Sequence, residues 1–201
     1  MWEEYRIFFN LVGTVLCQFP SRELFGTLVE EGVFEELPLA VDDEGFRQGA
    51  ALLADWNRSL GGRLDEDSYH KLVADNTFLF AGLQEMSVPP WESFYFNKER
   101  MIFQKETMEV RNWYRKHGFQ SSKLNHEPDD HIGLELLFIA RLLEACDEDP
   151  AALDDAHAFA VGHPVKWAHL WAARVLEHAQ TDLYRGLARV IPPSLRAFAG
   201  E

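Results

Sequence analysis

The stretch His126-Glu127-Pro128-Asp129-Asp130-His131 sets ionisable side chains around one proline and runs straight into the apolar segment Ile132-Gly133-Leu134-Glu135-Leu136-Leu137-Phe138. Metal binding is the first chemistry to weigh. His126 and His131 stand five apart, not the four of a helical zinc-protease pair, and Pro128 prevents one regular helix from carrying both. Asp154 and His157 have the spacing of one carboxylate-bridged di-iron pair, but such a site needs two pairs and two more carboxylates. His157, His163 and His169 recur six apart, on different helix faces. Neither a metal nor a cofactor is expected. Acid–base chemistry is the second candidate, since a carboxylate beside an imidazole shifts both pKa values, and Asp129, Asp130 and His131 supply the groups. The same residues suit a plain helix cap, with Pro128 at the first helical position and acids opposing the dipole. Cap and site both stay open on spacing alone. No Gly-x-x-x-x-Gly-Lys-Ser/Thr loop occurs, and no nucleophile or oxyanion hole is apparent, so no catalytic residue is assigned.

Peptide binding is the third chemistry. Pro89-Pro90-Trp91-Glu92-Ser93-Phe94-Tyr95-Phe96 crowds four aromatics into six positions of a segment that starts irregular. Four rings cannot all point inward from a short connection, so some are expected to line a groove, where Trp and Tyr offer rigid area with a polar handle. Aromatics rimmed by carboxylates suit a ligand with an apolar stretch and a basic end, as an export signal has.

The elements that would position these residues read as helix after helix. Tyr5, Phe8, Phe9, Val12 and Leu16 share one face over 3–17, with Pro20 beyond. Ser21 can cap a helix ending at Gly32; Phe46 to Asn57 mark another, stopped by Gly61-Gly62; Asp65 caps the next, which runs to Phe80. A long helix is predicted over 97–117, closed by Gly118, and a central one, apolar on two faces, over 128–146. Helices near 151–160, 165–179 and 181–190 follow, the last broken by Pro192-Pro193. The expected fold is all-α, roughly ten helices in one bundle, with an N-terminal half at 1–118, a polar hinge at 119–127 and a C-terminal half at 128–201.

Composition narrows the function. A net charge of -14 over 201 residues argues against a nucleic-acid surface or docking on anionic lipid, and favours basic partners. Cys17 and Cys146 sit in apolar helical stretches, as core residues rather than a disulfide. The acidic start, Met1-Trp2-Glu3-Glu4, is not an export signal, and no apolar run reaches the ~20 residues that cross a bilayer. A soluble cytoplasmic protein, without stable membrane insertion, is expected.

Glu127-Pro128-Asp129-Asp130-His131 before an apolar helix resembles the E-P-x-D-H hallmark of the TorD/DmsD/NarJ family of redox-enzyme maturation chaperones. Pro89-Pro90-Trp91-Glu92-Ser93 resembles its second hallmark, in the form of the dimethyl-sulfoxide-reductase branch. Gly162-His163-Pro164-x-x-Trp167 and Leu183-Tyr184-Arg185-Gly186-Leu187-Ala188 are similar to further family segments; Leu83-Gln84-Glu85-Met86-Ser87 matches none. The resemblance implies a cytoplasmic chaperone that binds the twin-arginine signal peptide and precursor of a molybdenum-cofactor oxidoreductase until its cofactor is loaded, working as a monomer or a domain-swapped homodimer. Carried over by position, the peptide-binding residues would be Phe80, Trp91, Ser93, Tyr95, Glu127, Pro128, Asp129, Asp130 and His131, with Asp129 and Asp130 accepting arginine bidentately. The alternative is a small hydrolytic or nucleotide-binding enzyme using Asp130 and His131.

Overall fold

Helix starts fall where side-chain oxygens can take the orphaned first-turn amides. The computed structural model describes residues 2–81, 87–120 and 127–200. After α1 (Trp2–Cys17), Ser21 Oγ accepts the Leu24 amide at 3.2 Å to open α2 (Arg22–Glu30). Asp43 does the same for α3 (Glu44–Ser59) and Asp65 for α4 (Glu66–Phe80). Next come α5 (Glu92–Phe96), α6 (Lys105–Lys116) and α7 (Ile132–Ala145). The order ends with α8 (Ala151–Gly162), α9 (Pro164–His178) and α10 (Asp182–Ala199). Among the described residues the regular structure is these ten helices, with an isolated antiparallel bridge from Trp91 to His131 and no extended strand, so the all-α expectation holds.

Three boundaries differ from the sequence reading. The helix predicted over 97–117 begins only at Lys105, as α6, and the short α5 lies before its predicted start; Asn97 turns its side chain on the backbone, where Oδ1 accepts the Met101 amide at 2.8 Å and Nδ2 donates to the Met101 carbonyl at 2.7 Å. α7 begins at Ile132 rather than Pro128, so Asp129 and Asp130 precede the helix instead of forming its first turn. α10 continues through Pro192 and Pro193. A helical proline costs about 3 kcal/mol, which the fully buried Val190, Ile191 and Leu195 offset at roughly 1.5–3 kcal/mol each.

Two compact units interleave along the chain. One takes in Met1–Cys17, Pro90–Leu170 and Phe198–Glu201; the other takes in Gln18–Pro89 and Trp171–Ala197. In the first, α1 packs along α7, with Phe8, Phe9, Val12 and Val15 of one and Ile132, Leu136 and Ile139 of the other shut off from solvent. The backbones meet at Gly13 and Gly133, where a Cβ on either would stand 2.9 Å from the other's carbonyl oxygen. α8 covers another side of α7, matching the two apolar faces read from sequence. Residues flanking the expected hinge lie together in this unit: the Phe119 ring is 4.8 Å from Tyr114 and 5.4 Å from Phe138. His126 and the rest of 121–126 fall outside the described residues.

In the second unit, Asp75 takes the amides of Gln180 and Thr181 just before α10, and Asn76 Nδ2 donates to the Tyr184 hydroxyl at 2.8 Å. Burial holds that phenol well above its ordinary range. Cys17 and Cys146 are not disulfide-bonded. Among the described residues no helix is long and apolar enough to cross a membrane.

Candidate functional site

The two segments singled out in the sequence are hydrogen-bonded to each other. Glu92 N donates to the Asp130 carbonyl at 2.9 Å, Ile132 N donates to the Pro90 carbonyl at 2.9 Å, and Trp91 faces His131 across the bridge between them. Side chains complete this clasp. Asp130 Oδ2 accepts the Ser93 amide and Oδ1 the Thr107 hydroxyl, each at 2.7 Å. Trp91, the N-cap of α5, makes no side-chain capping bond, so Asp130 supplies the cap from the other segment. Asp129 pairs with Arg111, and its carbonyl accepts the Tyr114 hydroxyl at 3.1 Å. Thr107, Arg111 and Tyr114 follow the spacing of one helical face, so α6 lays a polar stripe along the 129–130 backbone. Burial, then nearby carboxyls led by Glu135, pushes the Tyr114 phenol well above its usual value, leaving it a donor.

His131 caps α7: its Nδ1 accepts the Gly133 amide at 3.0 Å, which fixes that nitrogen as an acceptor, and Cys17 Sγ lies 3.9 Å away. Beneath the clasp is a second polar group. His163 Nδ1 lies 2.8 Å from Glu92 Oε2, and Trp167 Nε1 donates to Glu135 Oε2 at 3.1 Å. Burial first, then the neighbouring carboxyls of Glu92 and Asp130, raises the Glu135 carboxyl far above its ordinary range. The Tyr95 ring packs 5.3 Å from Trp167. Trp91 Nε1, Ser93 Oγ and Asp129 Oδ1 are buried without a hydrogen-bond partner among the described residues. No group of three His, Cys, Asp or Glu among the described residues is arranged to hold a metal ion.

The family model "Nitrate reductase delta subunit" matches residues 40–173, which include both segments. The chain belongs to the nitrate reductase delta subunit family. This is the TorD/DmsD/NarJ group that the motifs resemble. The chain is 32% identical over 111 residues, 55% of its length and 52% of the other's, to the "probable Tat proofreading chaperone DmsD" of Haemophilus influenzae. It is 28% identical over 116 residues (56% and 52%) to the Tat proofreading chaperone DmsD of Salmonella typhimurium. It is 32% identical over 78 residues (39% and 36%) to the chaperone protein TorD of Aliivibrio fischeri. The chain thus spans about half the length of the DmsD relatives it matches.

In this family member, eight of the nine predicted binding residues fall in the first unit: Trp91, Ser93, Tyr95, Glu127, Pro128, Asp129, Asp130 and His131. Phe80 belongs to the second, stacked on Trp171 at 6.5 Å and edge-on to Tyr184 at 5.5 Å. Tyr95, Glu127 and His131 are half-buried, whereas Trp91, Ser93 and Pro128 are buried. Asp129 and Asp130 are 1% and 0% exposed. As the structure stands, neither aspartate offers an oxygen to solvent for a guanidinium: Asp130 accepts from Ser93 and Thr107, and Asp129 pairs with Arg111 through Oδ2. Sequence reasoning missed the partners Thr107, Arg111, Glu135, His163 and Trp167. Glu135 carried a visible signal, as an ionisable residue inside a helix otherwise apolar on two faces, and His163 and Trp167 stood in the family-like segment Gly162-His163-Pro164-x-x-Trp167.

Proposed function

We propose that the protein is a cytoplasmic chaperone for the twin-arginine signal peptide of a molybdenum-cofactor oxidoreductase of the dimethyl sulfoxide or trimethylamine N-oxide reductase type, delaying export until the cofactor is inserted. The observation that carries the reading is the clasp: two segments apart in sequence are joined edge to edge, and Phe94, Tyr95, Glu127 and His131 are half-buried along it. The family and the Tat proofreading names of the DmsD relatives support it. Within this reading, Tyr95, Glu127 and His131 meet the peptide, while Trp91, Ser93, Pro128, Asp129 and Asp130 hold them in place. Phe80 is kept as a further aromatic contact.

The net charge of -14 draws a basic peptide in, and Glu127 is the motif carboxylate nearest solvent for its arginines. Each Leu-sized side chain of an apolar signal segment contributes roughly 1.5–3 kcal/mol gross on burial. Less the cost of ordering a disordered peptide, affinity of about micromolar follows, weak enough for release. The enzymatic alternative finds its groups committed: the Asp130 carboxylate accepts two donors and His131 Nδ1 accepts one.

The test is calorimetric titration with the twin-arginine signal peptide of a dimethyl sulfoxide reductase catalytic subunit, and with the same peptide after Arg-Arg→Ala-Ala. Binding that weakens in the alanine peptide is expected. Binding of neither peptide overturns the proposal, and equal binding removes the arginine component.

A further inference from the structure

Between α6 and the α8–α9 junction, within the first unit, lies a cavity of about 510 Å³. That is the size of a pocket for a small molecule. Of the residues lining it, only His163 belongs to the polar group beneath the clasp. Asn112 and Lys116 border the cavity from α6, Gly162 and His163 from the junction, and Lys166 from the first turn of α9. His163 is 5% exposed, and its Nδ1 stands 2.8 Å from Glu92 Oε2. Its Nε2 has no hydrogen-bond partner among the described residues and yet is not shut off from solvent, so this nitrogen opens into the cavity.

Donors outnumber acceptors here. Among the described residues Lys166 meets no carboxylate, and the Asn112 amide makes no side-chain hydrogen bond. Lys116 Nζ lies 2.7 Å from Asp155 Oδ2, but His117 Nε2 stands 3.1 Å from the same oxygen, so one carboxylate answers two basic groups. Glu109, an acid on the wall, is paired with Lys105. α9 opens on Pro164 with no acid in its first turn, so nothing offsets the positive end of its dipole. A Cβ on Gly162 would meet nothing within 4 Å, which leaves that wall open.

We propose that this cavity binds a small phosphomonoester, held by Lys166, Lys116, Asn112 and His163 Nε2, and that its occupancy is felt at α5 through the His163–Glu92 bond. Donors converging from two helices and a turn suit the several oxygens of a phosphate better than one planar carboxylate. The volume leaves room for an organic remainder. Trp113 is stacked on His117 and carries Lys116 Nζ 5.0 Å over its ring, so a nucleotide base would find that ring already engaged. With Nδ1 donating to Glu92, Nε2 can donate to a phosphate oxygen only when the ring carries both protons. The phosphate and Glu92 then flank one imidazolium and hold it charged, which tightens the bond to α5. The site stands without the peptide-binding reading, which matters only for the use made of Tyr95 on α5.

The test titrates glycerol phosphate, inorganic phosphate and glycerol into the full chain by calorimetry, with the His163 ring followed by nitrogen NMR. Saturable one-to-one binding of glycerol phosphate is expected, with a shift of the Nε2 resonance and no binding of glycerol. Lys166→Glu should weaken it by at least about tenfold. Gly162→Leu, which fills the open wall, should abolish it, and both variants should melt near the wild-type Tm. Amide exchange at 92–96 should slow when glycerol phosphate is bound. Absence of saturable binding, or binding that survives both variants, overturns the site. Equal affinity for inorganic phosphate, or tighter binding of adenosine monophosphate, overturns the ligand class. Exchange at 92–96 unchanged by saturating glycerol phosphate overturns the link to α5. Failure of a signal peptide to bind, with these results intact, counts only against the peptide-binding reading.

Discussion

Asp130 accepts the backbone amide of Ser93 at 2.7 Å across 37 positions of sequence. The five-residue α5 is thereby capped by the motif that precedes α7. The same carboxylate accepts Thr107, so α5, α6 and the start of α7 converge on one side chain. Its burial reflects this junction.

Asp130→Ala should therefore be severe. It leaves the Ser93 amide and the Thr107 hydroxyl buried without an acceptor, a loss of about 2–4 kcal/mol. Asp130→Asn, whose amide can satisfy one donor and turn Thr107 into an acceptor, should cost roughly half as much. Urea denaturation of the two variants checks the order.

The Asp129–Arg111 pair, with side chains 2% and 13% exposed, should behave as a buried ion pair. Asp129→Asn or Arg111→Met alone strands a charge and should cost about 3 kcal/mol. The double variant should recover most of that, giving a coupling of about 2 kcal/mol in a double-mutant cycle. Coupling near zero would show that the pair holds nothing together.

At the α1–α7 crossing, a Cβ on Gly133 would stand 2.7 Å from Cys17 Sγ and 2.9 Å from the Gly13 carbonyl oxygen. Gly133→Ala should lower stability by about 2 kcal/mol, because two backbones must part. Gly162→Ala, with nothing within 4 Å, is the control, expected to be neutral or to gain up to about 1 kcal/mol through helix propensity. Thermal melts of both separate packing from propensity.

Glu127→Gln should weaken signal-peptide binding by roughly threefold at low salt, with the difference shrinking as salt screens it. Its Tm should stay near that of the wild type, since the side chain is half-buried. Titrations at two ionic strengths read this directly.

Local chemistry was legible in the sequence where it acts within a few residues. Ser21 and Asp65 cap the helices they were expected to cap, and Gly32 and Gly118 take the left-handed turns past their helices. What escaped notice depends on partners distant in the chain. Asp129 and Asp130 have the composition of a first helical turn, and only their bonds to Ser93, Thr107 and Arg111 show why the helix waits until Ile132. The first turns of the pattern predicted from Asn97 hold neither glycine nor proline, yet the helix starts only at Lys105, with Asn97 bonded to Met101 instead. The proline pair in α10 misled in the other direction, because burial there outweighs two missing amides. The motifs announced a site, but not which of its carboxylates face inward.

The bond between Glu92 and His163 closes a loop of 71 residues. Contacts that far apart form late in folding, after the entropy of closing the loop has been met. A growing chain therefore carries both motifs well before it has the histidine and tryptophan that floor the clasp. The floor of the clasp is a late product of folding, completed only once α8 and the start of α9 have been synthesised and docked, so under the proposed function a half-made copy would not yet hold a client.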